Sequence, residues 1–168
     1  PLLQGEPWHY RRRVRLSVLF DSKNRKLNIG LRRKNSQQII PIEHCLVLEQ
    51  PLNDLLPKLT ALFAQWSMPQ QLGHIELVAA DNGIAMLLRH IKNIGETDRT
   101  LLLRFAEQQQ LMLFVQEHDS IEHWYGEQPY YRLGDDITLQ FDIRDFIQIN
   151  TELNRQMIAT ALDWLELN

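Results

Sequence analysis

Residues 10–20 read YRRRVRLSVLF, in which a mostly apolar set of side chains alternates with a basic set, with a period of two residues. This period is typical of a β-strand, because successive side chains point to opposite faces of a sheet. One face then carries Tyr10, Arg12, Val14, Leu16 and Val18. The other carries Arg11, Arg13 and Arg15. Residues 21–25 are polar and predict a turn, and residues 26–33 alternate again, so the segment predicts a hairpin.

Residues 34–91 predict further strands and one helix. Isoleucines at 39, 40 and 42 indicate a short third strand. Apolar residues at helical spacing follow, and we expect Asn53 or Asp54 to cap that helix, with Pro57 in its first turn and an end near Pro69. An Asn82-Gly83 pair between two apolar runs predicts a second hairpin.

The rest of the chain predicts a helix from a cap at Thr97 to about Gln109, strands at 111–115 and 137–141, and a final amphipathic helix. Asn150 precedes that helix and can cap it. The fold class is therefore α+β, with antiparallel sheets and hairpins covered by helices. The chain begins at Pro1 without a methionine and ends within the last helix, so we expect both ends to be cut points of a longer chain.

The charge distribution is uneven along the chain. Residues 1–45 contain ten Lys/Arg against three acids, whereas the remainder contains eight against eighteen. A cationic segment on an acidic body suits a polyanionic ligand, since neutralising phosphates releases counterions. A pair of solvated strands would carry the same charges, and charge alone does not separate these interpretations.

Composition also bears on the compartment. The single cysteine, Cys45, excludes an internal disulfide framework. The sequence contains neither an apolar run of membrane-spanning length nor a signal-peptide start. We therefore expect a cytoplasmic protein that does not associate with membranes. A monomer is the default expectation.

Three segments carry a resemblance to a known family: PWHYRRRVRL at 7–16, HCLVL at 44–48 and RDFIQIN at 144–150. In order and spacing, the chain resembles the RNA (uracil-5-)-methyltransferases, and it is most similar to the iron-sulfur branch that modifies 23S rRNA. The resemblance implies that residues 1–142 form a central RNA-binding domain of iron-sulfur type. Residues 143–168 would form a linker and the entrance helix of a Rossmann-like methyltransferase domain whose remainder is missing.

The resemblance gives roles to particular residues. Arg11, Arg13 and Arg15 would line the RNA site, with Arg15 nearest a flipped uracil, because chemistry on C5 and C6 requires a base outside its stack. An exposed strand whose arginines serve solubility is the alternative. Cys45 would be the fourth ligand of a [4Fe-4S] cluster, although its apolar neighbours also suit a small buried hydrophobe.

The segment at 146–150 would form an edge of the cofactor site. Phe146, Gln148 and Asn150 alternate and share one face in extended form. The resemblance implies that Gln148 contacts S-adenosyl-L-methionine, with Phe146 and Asn150 nearby. The alternative is that Phe146 belongs to the core and Asn150 is a helix cap.

The implied function is formation of 5-methyluridine in a single-stranded or loop region of 23S rRNA. In this family a cysteine thiolate attacks C6 of uracil before the methyl group reaches C5, and such a covalent adduct divides one difficult step into easier ones. In the family the catalytic residues lie downstream, so we expect no catalytic residue in this chain. We therefore expect an inactive fragment that binds neither the cluster nor S-adenosyl-L-methionine by itself. The alternative is a free-standing RNA-binding module without catalysis.

Overall fold

A computed structural model describes residues 2–133 and 137–165. The helices are α1 (Gln50–Phe63), α2 (Glu96–Gln109) and α3 (Thr151–Trp164). The strands are β1 (Arg13–Asp21), β2 (Lys26–Arg32), β3 (Ile39–Pro41), β4 (Leu72–Ala80), β5 (Gly83–His90), β6 (Leu111–Glu117), β7 (Ser120–Tyr125), β8 (Tyr130–Leu133) and β9 (Ile137–Gln140). A mixed α+β fold is therefore confirmed. Residues 166–168, the predicted end of the last helix, lie outside the described residues.

Seven strands form one sheet in the order β3-β2-β1-β4-β5-β6-β7, and β8 and β9 form a separate hairpin. The expectation of a wholly antiparallel sheet is wrong at one place, because β5 and β6 are parallel. A parallel neighbour requires a crossover of about a dozen residues or more, and α2 with its flanking turns provides it.

Both predicted hairpins are confirmed. Strand β1 pairs with β2 across a turn at residues 22–25, and β4 pairs with β5 across Asp81-Asn82. Gly30 in β2 faces the edge strand β3 at very short range, since a Cβ placed there would lie 1.9 Å from the carbonyl oxygen of Ile40. Glycine is the residue that lets β3 approach this closely.

Helices α1 and α2 cover one face of the sheet. Their apolar residues, among them Leu59 and Leu102, pack against the inward side chains of the central strands, such as Leu16 and Leu77, all of which are fully buried. These side chains form the main core. No helix among the described residues has the length and apolar character needed to cross a membrane.

The predicted start of α1 is wrong. The helix begins at Gln50, and Pro57 lies inside it rather than in its first turn. Asn53 is buried and does not cap the helix, because its side chain bonds the backbone N–H and carbonyl of Cys45 and the carbonyl of Leu48. Helix α2 ends at Gln109 as expected, but it begins at Glu96, one residue before the predicted cap at Thr97.

The opposite face of the sheet is only partly covered. The chain returns over it after β9, and Phe141, Ile143 and Ile147 pack on outward apolar residues such as Leu87 and Phe114. We call residues 141–150 the connector. Beyond the connector this face carries mostly polar side chains, and we call that region the open face.

Candidate nucleic-acid interface

The arginines of β1 reach the open face through the two-residue period of the strand. In the sheet register Arg13 is opposite Val78, and Arg15 is opposite Glu76. Arg11 precedes the strand and lines the same groove, which has a volume of about 520 Å³. We call this depression the first groove. Its polar lining consists of Arg11, Arg13, Arg15, His74, Glu76, Arg89, Gln116 and Arg144.

Arg13 and Arg15 differ sharply in their surroundings. The Arg13 side chain is 19% exposed, and its Nη2 donates to Glu76 Oε2 at 2.9 Å and to the Ile143 carbonyl at 2.9 Å. It also donates to the carbonyl of Asp145. The Arg15 side chain is 61% exposed, and its Nε lies 3.7 Å from Glu76 Oε1. Arg13 therefore fastens the connector to the sheet, while Arg15 is accessible to a ligand.

Glu76 lies at the floor of the first groove, with 13% of its side chain exposed. His74, whose Nε2 lies 3.5 Å from Glu76 Oε1, and then Arg13 lower the pKa of Glu76 to about 2 against the opposing effect of burial. Arg15 Nη2 donates to His74 Nδ1 at 3.2 Å, so the ring proton of a neutral His74 is on Nε2, facing Glu76. Glu76 thus stays ionised and holds three cationic or proton-donating groups together.

Arg12 joins the arginine strand to the connector. It is buried, its Nε donates to the Gln148 carbonyl at 2.9 Å, and its backbone N–H donates to the Ile149 carbonyl at 3.0 Å. Its guanidinium stands 5.5 Å from the centroid of the Tyr131 ring, and burial lowers the pKa of Arg12. The sequence places Arg12 in an otherwise apolar row, and a buried arginine in such a row signals a buried acceptor.

The predicted cofactor edge is presented to solvent. Phe146 is 83% exposed, so the alternative that Phe146 belongs to the core is wrong. Gln148 is exposed, and only its backbone carbonyl is engaged by Arg12. Asn150 is half-buried, and its Oδ1 accepts the Leu153 N–H at 3.0 Å, which confirms the predicted cap of α3.

Cys45 lies in the loop before α1, half-buried against the core. Asn53 fixes the backbone on both sides of the thiol-bearing residue, with bonds of 2.8 Å to its N–H and 3.0 Å to its carbonyl. Residues 2–133 and 137–165 contain no group of three or more His, Cys, Asp or Glu side chains arranged to hold a metal ion. One thiolate cannot hold an iron-sulfur cluster, so Cys45 would need ligands from elsewhere.

Known proteins resemble this chain in sequence and in fold. No protein-family model matches the chain. A Pasteurella multocida protein named 23S rRNA (uracil(1939)-C(5))-methyltransferase RlmD is 61% identical over 167 residues, which is 99% of this chain and 38% of the relative. The predicted resemblance is confirmed. Proteins of the same name from Haemophilus influenzae strain Rd and Photobacterium profundum are 58% and 46% identical, over 100% and 99% of this chain.

The chain spans a little over a third of the length of these relatives, 38% for the first two and 35% for the third. A solved structure also resembles it, that of Pyrococcus abyssi tRNA (uracil-54, C5)-methyltransferase in complex with S-adenosyl-L-homocysteine. The TM-score is 0.70 at 16% identity, and the match covers 94% of this chain and 42% of the other. At this identity the likeness concerns the fold.

Proposed function

We propose that this chain is the RNA-positioning part, and one edge of the cofactor site, of an S-adenosyl-L-methionine-dependent 23S rRNA (uracil-5-)-methyltransferase that forms 5-methyluridine. The observation that carries the proposal is the joining of the first groove to the connector by Arg12 and Arg13. The cationic surface and the segment that carries the exposed glutamine are thereby joined by hydrogen bonds. The similarity of the full chain to named RNA uracil-C5 methyltransferases supports the same conclusion.

The division of the protein follows from this proposal. Residues 1–142 form the central domain, and residues 143–168 connect it to a Rossmann-like methyltransferase domain that holds the nucleophile and the base. The relatives are longer than this chain, which leaves room in them for a further domain. Alone, the chain is inactive. The full protein is a cytoplasmic monomer that does not associate with membranes.

Arg15 is the residue of this chain best suited to contact the RNA near the target uracil. Its guanidinium is exposed, and a planar fork of donors fits a phosphate or a base edge. The contact with His74 limits its motion before RNA binds. Arg11 lies beside it in the first groove, while Arg13 contributes mainly by shaping that groove.

The connector has side chains that fit an edge of the S-adenosyl-L-methionine site. The Gln148 amide is exposed and can donate and accept hydrogen bonds, and the Phe146 ring is exposed for stacking. The Asn150 oxygen already accepts the Leu153 N–H, which leaves its amide nitrogen and one oxygen lone pair for a ligand. When bound, S-adenosyl-L-methionine supplies the methyl group.

Cys45 fits the role of a fourth [4Fe-4S] ligand only in combination with cysteines outside these residues. The bonds from Asn53 hold its backbone in place, which would orient a ligand before the cluster binds. Within this chain Cys45 has no partner thiol, since the sequence contains a single cysteine. No cluster is therefore expected on the chain by itself.

The test is made in a strain that lacks the parent gene. Mass mapping of rRNA and tRNA should show the loss of one 5-methyluridine in 23S rRNA and its return with the wild-type gene. Arg15→Ala should not restore it at low expression, whereas Arg104→Ala should, because Arg104 is exposed on α2 behind the opposite face. Loss of a tRNA methyl group instead would contradict the assignment to 23S rRNA.

A second observation distinguishes the enzyme from a free-standing RNA-binding module. The parent reading frame should continue beyond residue 168 into a glycine-rich cofactor motif and a later Cys-Pro element. A natural gene without these elements would leave RNA binding as the function and remove methyl transfer.

A further inference from the structure

A second depression adjoins the first groove on the open face. It has a volume of about 580 Å³ and lies across β1, β2, β4 and the end of β5. We call it the second groove. It is lined by Arg15, Ser17, Arg32, Gly73, His74, Arg89 and Ile91. Because Arg15, His74 and Arg89 line both depressions, the two grooves are continuous.

The second groove is cationic and mostly polar. Arg32 and Arg89 are exposed, and neither has an ion pair among the described residues. Arg32 Nη1 donates to the neutral amide oxygen of Gln37 at 3.3 Å, which leaves its charge uncompensated. In the described lining of both grooves Glu76 is the acidic residue, and it already pairs with Arg13. The second groove therefore keeps a net positive charge.

The side chain of Arg89 has a defined support. A Cβ placed on Gly73 would lie 3.3 Å from Arg89 Cγ and 3.4 Å from Arg89 Cδ, so the arginine stem rests against the bare glycine of the neighbouring strand. This contact holds Arg89 at the point where the two grooves meet. An arginine whose stem is already packed loses less side-chain entropy on binding a phosphate than a fully free one.

We propose that the second groove binds the phosphate backbone of single-stranded RNA that flanks the target uridine, with Arg32 and Arg89 as the contacting residues. The inference rests on the proposed function and adds to it the path that the RNA strand follows over the sheet. An RNA strand that passes Arg15 in the first groove continues into the second, where arginines rather than apolar side chains meet it. A protein partner would bury an apolar centre, and Ile91 is the one large apolar side chain described in this lining.

The experiment uses the full-length enzyme and two kinds of RNA. One is a short oligonucleotide that carries the target loop, and the others extend it separately on its 5′ and 3′ sides. The Arg32→Ala/Arg89→Ala variant should bind one of the extended RNAs about tenfold more weakly than wild type. The slope of log K against log salt concentration should become shallower by about 1.4, the value for two single-strand phosphate contacts. Binding of the short RNA should fall much less, since Arg89 also lines the first groove, and Arg32→Ala alone should leave it unchanged. The Arg15→Ala variant should bind both kinds more weakly.

Two control variants sharpen the result. Lys58→Ala/Arg104→Ala removes the same charge from exposed positions on α1 and α2, behind the covered face, and should bind every RNA as wild type does. The Arg32→Lys/Arg89→Lys variant keeps both charges and should retain most of the salt slope. Folding of each variant is checked by its thermal transition.

The outcomes separate this inference from the proposed function. Wild-type enzyme that binds the extended RNAs better than the short one, with Arg32→Ala/Arg89→Ala unaffected, would overturn the inference alone. Equal losses on short and extended RNAs would also overturn it, because the two arginines would then act at the target loop. A wild-type enzyme that binds none of these RNAs would overturn the proposed function and the inference with it.

Discussion

The two faces of the seven-stranded sheet perform different tasks with alternate residues of the same strands. Behind the sheet, Leu16 and Leu77 are fully buried under α1 and α2. On the open face their immediate neighbours Arg15 and Glu76 line the first groove. Because side chains of a strand alternate in direction, the core and the binding surface are specified by interleaved positions. Stability and ligand binding should therefore respond to different substitutions one residue apart.

The arginine row of β1 is itself divided. Arg13 and Arg15 are two residues apart on the same strand, yet Arg13 is bonded to Glu76 and to the connector, whereas Arg15 is largely exposed. The difference lies in position relative to the connector. Side chains covered by the connector bind it to the sheet, whereas side chains beyond the connector are accessible to a ligand.

The largest effect on stability is expected behind the sheet. Leu77→Ala removes a fully buried side chain from the core, and such changes cost about 2–5 kcal/mol. Arg15→Ala, on the neighbouring strand but on the open face, should change the free energy of unfolding by less than about 0.5 kcal/mol. Denaturant unfolding of both variants measures the difference. A large loss of stability in Arg15→Ala would contradict the assignment of stability to one face of the sheet and ligand binding to the other.

The next effect concerns Glu76, the acid that lies between the structural and the accessible arginine. Its folded pKa is about 2, below its ordinary value of 4.5, so its contribution to stability is present above about pH 4.5 and is lost as the pH falls toward 2. Glu76→Gln should destabilise the protein at pH 7 by up to about 3 kcal/mol, and less where water screens the groove.

The pH dependence distinguishes the charge of Glu76 from its shape. Glutamine keeps the size of the side chain and can still accept hydrogen bonds, so the lost stability should be electrostatic. The variant should approach wild-type stability as the pH is lowered from 5 toward 2, because the wild-type carboxylate then becomes protonated. A constant difference between the two proteins across that range would contradict the assigned pKa.

Much of this fold could be predicted from local patterns in the sequence. The period-two alternation of residues 10–20 and the Asn82-Gly83 turn both predict hairpins that the structure contains. Features that depend on distant partners could not be predicted. The acceptor of Arg12 lies 136 residues away in sequence, and the parallel pairing of β5 and β6 depends on how α2 packs rather than on the pattern of either strand.

The site shows the same limit. The residues that β1 contributes to the first groove could be predicted from their alternation. Arg89 and Gln116 come from other strands, and the order of those strands in the sheet cannot be predicted from local sequence. The prediction that Asn53 caps α1 is wrong for a related reason. Its amide suits a helix start, but the loop around Cys45 offers three backbone partners and takes the side chain instead.

A smaller and more local loss of stability than at Leu77 or Glu76 is expected at Asn150, where the connector passes into α3. Its side-chain oxygen accepts the Leu153 N–H, and replacing such a cap with alanine costs about 1 kcal/mol. None of the side chains of α3 is buried, so the loss should remain local and leave the unfolding of the sheet unchanged. Hydrogen exchange at Leu153 should become about fivefold faster in Asn150→Ala, which is the ratio that 1 kcal/mol gives at 25 °C. Asn150→Ser should restore protection, since serine also caps helices well. If the core amide of Leu77 lost protection to the same extent, α3 and the sheet would unfold as one unit, and the effect of the cap would not be local.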